Sequence, residues 1–397
     1  MDAALTRWMQ TARERASTSG AEPADRDHTR RVLALGEPNH GSREVFALKS
    51  RLIVEAARAG GLTHVAMEAS TDRCLPLGEY VAGRRAWDDS LLLDIGFWTW
   101  RTEEVRDLLH ALRAHNDSGA SPVAFVGVDP QLPTASAEMV RAALQRAGTL
   151  DAASTRLLDI LSLMRVGDAL PSGAAHLLRD ITAHLDTEEE VCAFAALGDA
   201  ARLASGEAGF AAVAARDALM AERVLRLVQA PGARVAVWAH NAHVAKRPYG
   251  GGRVRSMGQH LAEALGPRYW ALGVFAGSGS FRAYTRRPFG RVSAAPEVVR
   301  WPGPGRGTLE SVLEEAGGGG TYVLDLAAAA TAVGPAPADL SRAWPVRTAG
   351  SLVSTLTWRW QHDTCCPGED LDALAFVPTV TPTTPLPEGD WRPPFRR

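Results

Sequence analysis

Glu37 and His40 stand three residues apart in the stretch GEPNHG, fenced by two glycines and a proline, directly after the apolar run VLAL. A carboxylate beside an imidazole holds one tautomer and raises its basicity, so the ring can take a proton from water near neutral pH. The stretch AHNAH supplies two further imidazoles, His240 and His243. These suit stabilisation of an oxyanion or protonation of a leaving oxygen. Glu68 in VAMEAS and Asp129 in FVGVD add two more carboxylates, each also at the end of an apolar run. Taken singly, a strand-end acid more often caps the next helix, and a strand-end His is more often scaffolding. Recurrence at four run ends is what points to a site. The chemistry it supports is acid-base work on a neutral substrate, hydrolysis without a covalent step.

Other chemistries have less support. No G-x-S-x-G elbow occurs, and Cys74, Cys192, Cys365 and Cys366 have no obvious local His partner, which argues against a Ser or Cys nucleophile. No G-x-x-x-x-G-K-[ST] loop is present, and VLALGEPNHG is not a dinucleotide fingerprint. Metal binding is the open alternative: Glu37-x-x-His40 and His240-x-x-His243, with Glu68 and Asp129, could ligate zinc or manganese. Neither pair has the helical H-E-x-x-H context, and six candidates exceed what one catalytic metal needs. The expectation is therefore no metal and no cofactor.

The elements that must carry these residues are short apolar runs covered on both faces. RVLALGE, THVAMEAS, PVAFVGVD and RVAVWAHNAH each have the length and continuous hydrophobicity of a buried strand. REVFALKSRLIVEAARAGG between the first two has helical spacing and stops at a glycine pair, which makes a β-α-β unit. TEEVRDLLHALRAHND and RVLRLVQA precede the third and fourth runs, and further strands are expected in YWALGVFAG, TYVLDLA and ALAFVPTV. The pattern predicts an α/β fold, a mostly parallel central sheet flanked by helices. In such a sheet ligands sit outside the carboxyl ends of the strands. From 135 to 227 the strand signal gives way to Ala- and Leu-rich helical stretches punctuated by Gly167, Pro171, Gly198 and Gly206. The organisation expected is a core domain of residues 1–134 and 228–397 with a helical insertion or cap at 135–227. GPGRG and GGGG read as surface loops bracketing a short helix.

Two features around the cleft stay open. Phe97, Trp98 and Trp100 in GFWTW read either as core or as an apolar wall for a bulky ligand. Lys49, twelve residues after Glu37, is either solvated or reaches the carboxylates if its helix packs across the cleft. Lys49, Trp98, Trp100 and Asp129 are the substrate-binding candidates; Glu37, His40, Glu68, His240 and His243 are the catalytic ones.

Composition limits the partners. With 43 Lys and Arg against 45 Asp and Glu, the chain has no electrostatic footprint for nucleic acid or an anionic membrane, so a small molecule is the expected partner. MDAALTRWMQTARERAS reads as an amphipathic helix rather than a secretion signal, and no uncharged run is long enough to span a bilayer. The cysteines form neither a C-x-x-C nor a disulfide framework, which suits a reducing cytoplasm.

These stretches together resemble the erythromycin esterase family. The resemblance is carried by GEPNHGSREVFALKSRLIVE, THVAMEAS, FWTWRTEEVRDLLHALRAHN with VGVDPQ, RDALMAERV, VAVWAHNAHV, MGQHLAEALGPRYWALGVFAGSGSF and LDALAFV. It implies hydrolytic opening of macrolide lactones by a histidine-based, metal-independent mechanism. On this chain it implies His40 as general base with Glu37 as its partner, and Glu68, His240 and His243 in the same site. It also implies a distant likeness to metal-dependent peptidases and a haem-binding protein. Fold and family do not set the substrate. A resistance-type or general esterase, a biosynthetic tailoring enzyme performing substitution, elimination or acyl transfer, and a binder of a bulky ligand all remain compatible. The composition suggests a high-GC bacterium, such as an actinobacterium.

Overall fold

The structure is a computed structural model that describes residues 3–17, 29–204 and 209–388; Gly206 lies outside them. Its frame is a nine-stranded sheet ordered β3 (Ala124–Asp129), β2 (His64–Ser70), β4 (Val235–Trp238), β1 (Val32–Leu35), β5 (Tyr269–Arg286), β11 (Ala373–Val380) and β7 (Tyr322–Asp325), with β6 (Glu297–Trp301) and β9 (Leu352–Ser354) joining the far half of β5. The four runs read as buried strands are β1 (Val32–Leu35), β2 (His64–Ser70), β3 (Ala124–Asp129) and β4 (Val235–Trp238). They are contiguous parallel neighbours, with Leu35 and Met67 both opposite Trp238. Their carboxyl ends therefore open on one edge. β1 and β4 are buried at every position, as continuous hydrophobicity demands of strands covered on both faces.

β5 (Tyr269–Arg286) is longer than its apolar run. Its first half lies between β1 and β11 (Ala373–Val380), parallel to both. Its second half leaves the core and pairs antiparallel with β6 (Glu297–Trp301) and parallel with β9 (Leu352–Ser354). β7 (Tyr322–Asp325) closes one edge antiparallel to β11, and β8 (Trp344–Arg347) pairs with β10 (His362–Cys365) in a separate ribbon.

Helices cover both faces. α1 (Ala3–Ser17) packs on the face that also carries α10 (Phe210–Leu227) and α12 (Met257–Leu265). The other face is built on α2 (Arg43–Arg58), α3 (Thr71–Val81), α4 (Asp89–Leu93) and α5 (Glu103–Asp117). α2 aims Val45, Phe46, Leu48, Leu52, Ile53 and Ala56 at the core, an apolar stripe at helical spacing. Between β3 and β4 run α6 (Thr134–Ala147), α7 (Ala152–Ser162), α8 (Ala174–Ile181), α9 (Glu188–Ala201) and α10, with no strand among the described residues. α6 to α9 enclose a cluster of their own around Leu144, Leu157, Leu161 and Leu197. Short α11 (Asn241–Val244) follows β4, and α13 (Leu309–Gly317) is the helix bracketed by the two glycine loops. Among the described residues no helix is long and apolar enough to cross a membrane.

Candidate active site

The two glycines of GEPNHG are there because the loop after β1 is wedged between backbones. A Cβ on Gly36 would lie 2.1 Å from Asn241 Oδ1 and 2.9 Å from Leu272 O, and one on Gly41 would lie 2.2 Å from Arg282 O. Only glycine permits either approach. The loop is thus clamped by β5 on one side and α11 on the other. The Gly36 and Arg282 amides donate to Leu272 O and Gly41 O.

Clamped in this way, the loop turns Glu37 inward and sets His40 on the wall of a cavity. His40 Nδ1 donates to Glu37 Oε1 at 2.8 Å. The other carboxylate oxygen accepts from Lys49 Nζ at 2.6 Å and from Trp238 Nε1 at 2.7 Å. Lys49 is completely buried, its ammonium also bonded to Ala239 O and held 4.5 Å from the centre of the Trp238 ring. Burial pushes the Glu37 carboxyl up, but the Lys49 ammonium and then His40 outweigh it and hold the group below its ordinary value. Burial pulls the Lys49 ammonium down to about 8, with Glu37 opposing. The pair is ionised at neutral pH. An ionised Glu37 accepts only, so His40 keeps its proton on Nδ1 and leaves Nε2 as the basic nitrogen.

A second network lies across the cavity. Glu68 Oε1 accepts from Arg216 Nη2 at 2.7 Å and faces His243 Nε2 at 3.2 Å, while Oε2 accepts from the His240 amide at 2.9 Å. Arg216 also binds Asp129 Oδ2 at 2.6 Å. His243 Nδ1 is 2.6 Å from Asp217 Oδ1, an ion-pair contact rather than an in-line hydrogen bond. Burial disfavours the His243 cation, yet Asp217 and Glu68 raise it to about 10. Arg216 Nη1 also sits 3.1 Å from His243 Nε2. With Glu68, Asp129 and Asp217 facing a single arginine, the imidazolium is the favoured state, and its Nε2 proton goes to Glu68. Glu68 itself is held well below its usual range: burial opposes this, and His243 and Arg216 overcome it.

His240 is in a different state from its neighbour. Its Nδ1 accepts from the Ala242 amide at 3.2 Å, so Nε2 carries the proton and donates to Pro38 O at 3.2 Å, with Thr348 Oγ1 at 3.3 Å. Both ring nitrogens are thereby assigned to a neutral imidazole. Burial, then the nearby His40 and His243, pushes its pKa down to about 3. Its ring centre is 5.2 Å from that of His40.

The two networks share a cavity of about 890 Å³. His40, Glu68, Arg216, His240 and His243 line it, together with the aromatic residues Phe97, Trp98, Trp100, Tyr249 and Tyr284. Leu163, Arg165, Val166, Val213 and Arg216 come from the segment between β3 and β4. The cavity is therefore walled by the strand ends and by that segment. Trp100 is 1 % exposed, its indole stacked on Phe46 and donating to Glu68 O at 2.9 Å, with His40 at its edge. Trp98 is half-buried and meets Tyr284 edge-on. Of the aromatic run, Trp98 is thus the open wall and Trp100 the packed floor.

Two substrate-binding expectations take a different place. Lys49 and Asp129 are both completely buried and are not among the residues lining the cavity. Lys49 stands behind Glu37 and Asp129 behind Arg216, each one layer back from any substrate. The sequence reading passed over Arg216, Asp217, Trp238 and Tyr249. The signal for the first two was an Arg-Asp pair inside the apolar helix FAAVAARDALMAERVLRL, where Asp217 is wholly buried.

Comparison with known proteins places this arrangement. The chain is similar over 97 % of its length, and 99 % of the other, to a Bacillus cereus protein of known structure at 18 % identity and a TM-score of 0.72. It is similar over 90 % of both chains to a succinoglycan biosynthesis protein at 17 % identity and a TM-score of 0.68. A mutant form of the erythromycin esterase EreC in its open conformation matches 92 % of this chain and 94 % of its own at 15 % identity and a TM-score of 0.60. At these identities the likeness is one of fold. The sequence pattern of the family described as "Erythromycin esterase" matches residues 58–380, beginning after the Glu37 and His40 loop and taking in Glu68, Arg216, His240 and His243. With most of its length matched, and with the α/β sheet of an erythromycin esterase, the chain belongs to the erythromycin esterase family.

Proposed function

We propose that the protein hydrolyses an ester or lactone of a bulky small molecule, with His40 as the general base that activates water. The observation that carries this reading is the chain Lys49–Glu37–His40. A buried ammonium keeps the carboxylate ionised, and the carboxylate fixes the proton of His40 on Nδ1. The same division of labour orients the base in Ser-His-Asp sites. Here the nucleophile is water. Its oxygen attacks the ester carbonyl carbon as its proton passes to His40 Nε2, and the carbonyl electron pair moves to oxygen. Arg216 and the His243 imidazolium line the cavity and, although paired with Glu68, Asp129 and Asp217 in the resting site, are the cations placed to share charge with this oxyanion. When the tetrahedral intermediate collapses, the C–O bond breaks and His40 returns its proton to the departing alkoxide. Trp98 and Tyr284 supply apolar wall for a bulky substrate.

Support for a metal-free mechanism comes from how the ligand candidates are used. Glu37 is held by Lys49 and His40, Glu68 and Asp129 by Arg216, and His243 by Asp217. Among the described residues no group of three or more His, Cys, Asp or Glu side chains is disposed to hold a metal ion. The four cysteines are free, and the reading places the enzyme in a reducing cytoplasm.

The test is His40→Gln assayed for ester turnover alongside circular dichroism. His40 sits in a loop, so the fold should persist while the rate falls by about two to four orders of magnitude. A folded variant turning over at the wild-type rate overturns the assignment.

A further inference from the structure

The catalytic cavity does not end at its imidazoles. Ala242, Tyr249, Thr348 and Asp363 line it and also line a smaller cavity of about 50 Å³, so the two spaces share a wall. That wall lies beside the acid-base groups. Ala242 stands between His240 and His243 in α11, and Thr348 Oγ1 is 3.3 Å from His240 Nε2. The Tyr249 ring meets that of His243 edge-on, with centres 5.6 Å apart. With only a methyl group to contribute, Ala242 makes the wall low at this point.

What the smaller cavity offers a ligand is mainly apolar. Phe275, Val346, Cys365 and Leu371 are buried around it, joined by Ala245. Burial pushes the Cys365 thiol up, which keeps it neutral. The polar side chains of the lining are engaged with the protein itself. Asn241 is bonded to both backbone groups of Val274, at 2.7 and 3.1 Å. The Arg347 guanidinium donates to Pro302 O, Ala276 O and Gly277 O. Asp370 accepts from the Cys366 amide at 2.6 Å and faces Arg247 with its other oxygen. A space of that size holds about four waters, and waters with so few open partners are readily displaced by hydrocarbon.

We propose that this side pocket is a subsite for a short apolar arm of the ester, entered between Ala242, Tyr249 and Thr348, while the body of the substrate lies on the wall of Trp98 and Tyr284. This rests on the hydrolase reading above and deepens it. The scissile carbonyl is flanked by a large group on one side and by an arm of about three or four carbons on the other, the length that fills the pocket. A hydrocarbon arm gains by leaving water and breaks none of the wall's own hydrogen bonds. A charged or strongly hydrated arm finds no partner there and is selected against. The same chemistry serves an acyl or an alkoxy arm.

The experiment measures binding by calorimetry to the folded His40→Gln protein, so that turnover does not intrude. The acetate, butyrate and hexanoate esters of 2-naphthol lengthen the acyl arm, and the methyl, propyl and pentyl esters of 2-naphthoic acid lengthen the alkoxy arm. Each buried methylene is worth about fourfold in affinity, so in at least one series the middle member should bind about fifteenfold more tightly than the shortest. The longest should add less than about fourfold to that, because the pocket is full. The series that shows the step identifies the arm. Ala245 lines the side pocket and not the catalytic cavity, so Ala245→Leu should abolish the step and leave binding of the shortest esters as it was. The step is also read with the pocket unaltered, so the result does not hang on that variant folding. No step in either series, affinity that climbs evenly to the longest member, or a step that survives in folded Ala245→Leu overturns the proposal. Wild-type turnover of the same esters reports separately: esters that show the step but are never cleaved count against the hydrolase reading and leave the subsite standing.

Discussion

Replacing Lys49 with Met separates the structural from the electrostatic work of the buried pair. Lys49 Nζ and Glu37 Oε2 are 2.6 Å apart, and both side chains are fully buried. At an effective dielectric of about 20, unit charges at that spacing attract by about 6 kcal/mol. Desolvating each ion costs several kcal/mol, so the pair as a whole is close to neutral for stability. Breaking it is another matter. Lys49→Met leaves Glu37 buried with only His40 and the Trp238 indole, and removes the bond to Ala239 O. The expected cost is about 3–5 kcal/mol. The double variant Lys49→Met with Glu37→Gln removes both charges and should recover most of that loss in urea unfolding. Because Lys49 is the largest influence lowering Glu37, the single variant should also move the acid limb of its kcat/KM profile to higher pH. A single-variant cost below about 1 kcal/mol, the level of an exposed pair, or no recovery in the double variant, would refute the argument that an ionised pair holds the base.

The second network can be probed in the same way. Arg216→Met breaks the ion pair of the buried Asp129 and leaves Glu68 with only the His243 imidazolium, and should destabilise by about 3–5 kcal/mol in urea unfolding; a loss below about 1 kcal/mol would show the carboxylates find other partners. His243 is raised to about 10 in the fold from its ordinary 6.5, so the native state binds more protons between those values and stability falls as pH rises through them. Relative to His243→Gln, wild type should hold an advantage that is full below pH 6.5 and gone above about 10, read from melting curves; a flat difference would mean a neutral His243 accepting from Arg216. Prolonged chelation should leave ester turnover unchanged, and activity lost to chelator and restored by one metal would recast Glu37, His40, Glu68, His240 and His243 as ligands.

The strands that carry the site were legible because their cause is local. β1 to β4 are continuous apolar runs that stop at a polar residue, and the pattern locates both the strand and the group at its end. The second half of β5 was not read as strand, although Phe281, Ala283 and Thr285 alternate as buried positions there. The half-buried Ser280 and Arg282 between them break the apolar run without breaking the period of two. β6, β8, β9 and β10 are three to five residues long and carry charged or polar side chains, which leaves too short a window for any period. At the site, the spacing of Glu37 and His40 was visible, but their support was not. Whether Lys49 is solvated or buried depends on how α2 docks, and the pairing of Arg216 with Glu68 and Asp129 spans 148 and 87 positions of chain. Contacts of that reach are set by topology, which single-sequence patterns do not encode.

The strand order has a consequence for how the protein is made. β4 lies between β2 and β1, although it is synthesised about two hundred residues after β1 and after the whole helical segment. As the chain leaves the ribosome, β1, α2 and β2 emerge together with complementary open edges and nothing to separate them. The nascent β-α-β unit must hold its two strands one place apart until a third slides in. A direct β1 to β2 pairing would be a register trap that excludes β4 and leaves Glu68 without the His240 amide and His243. Pairings of that sequence separation are the slow ones in folding, and the order of synthesis puts β4 last among the four strands that carry the site.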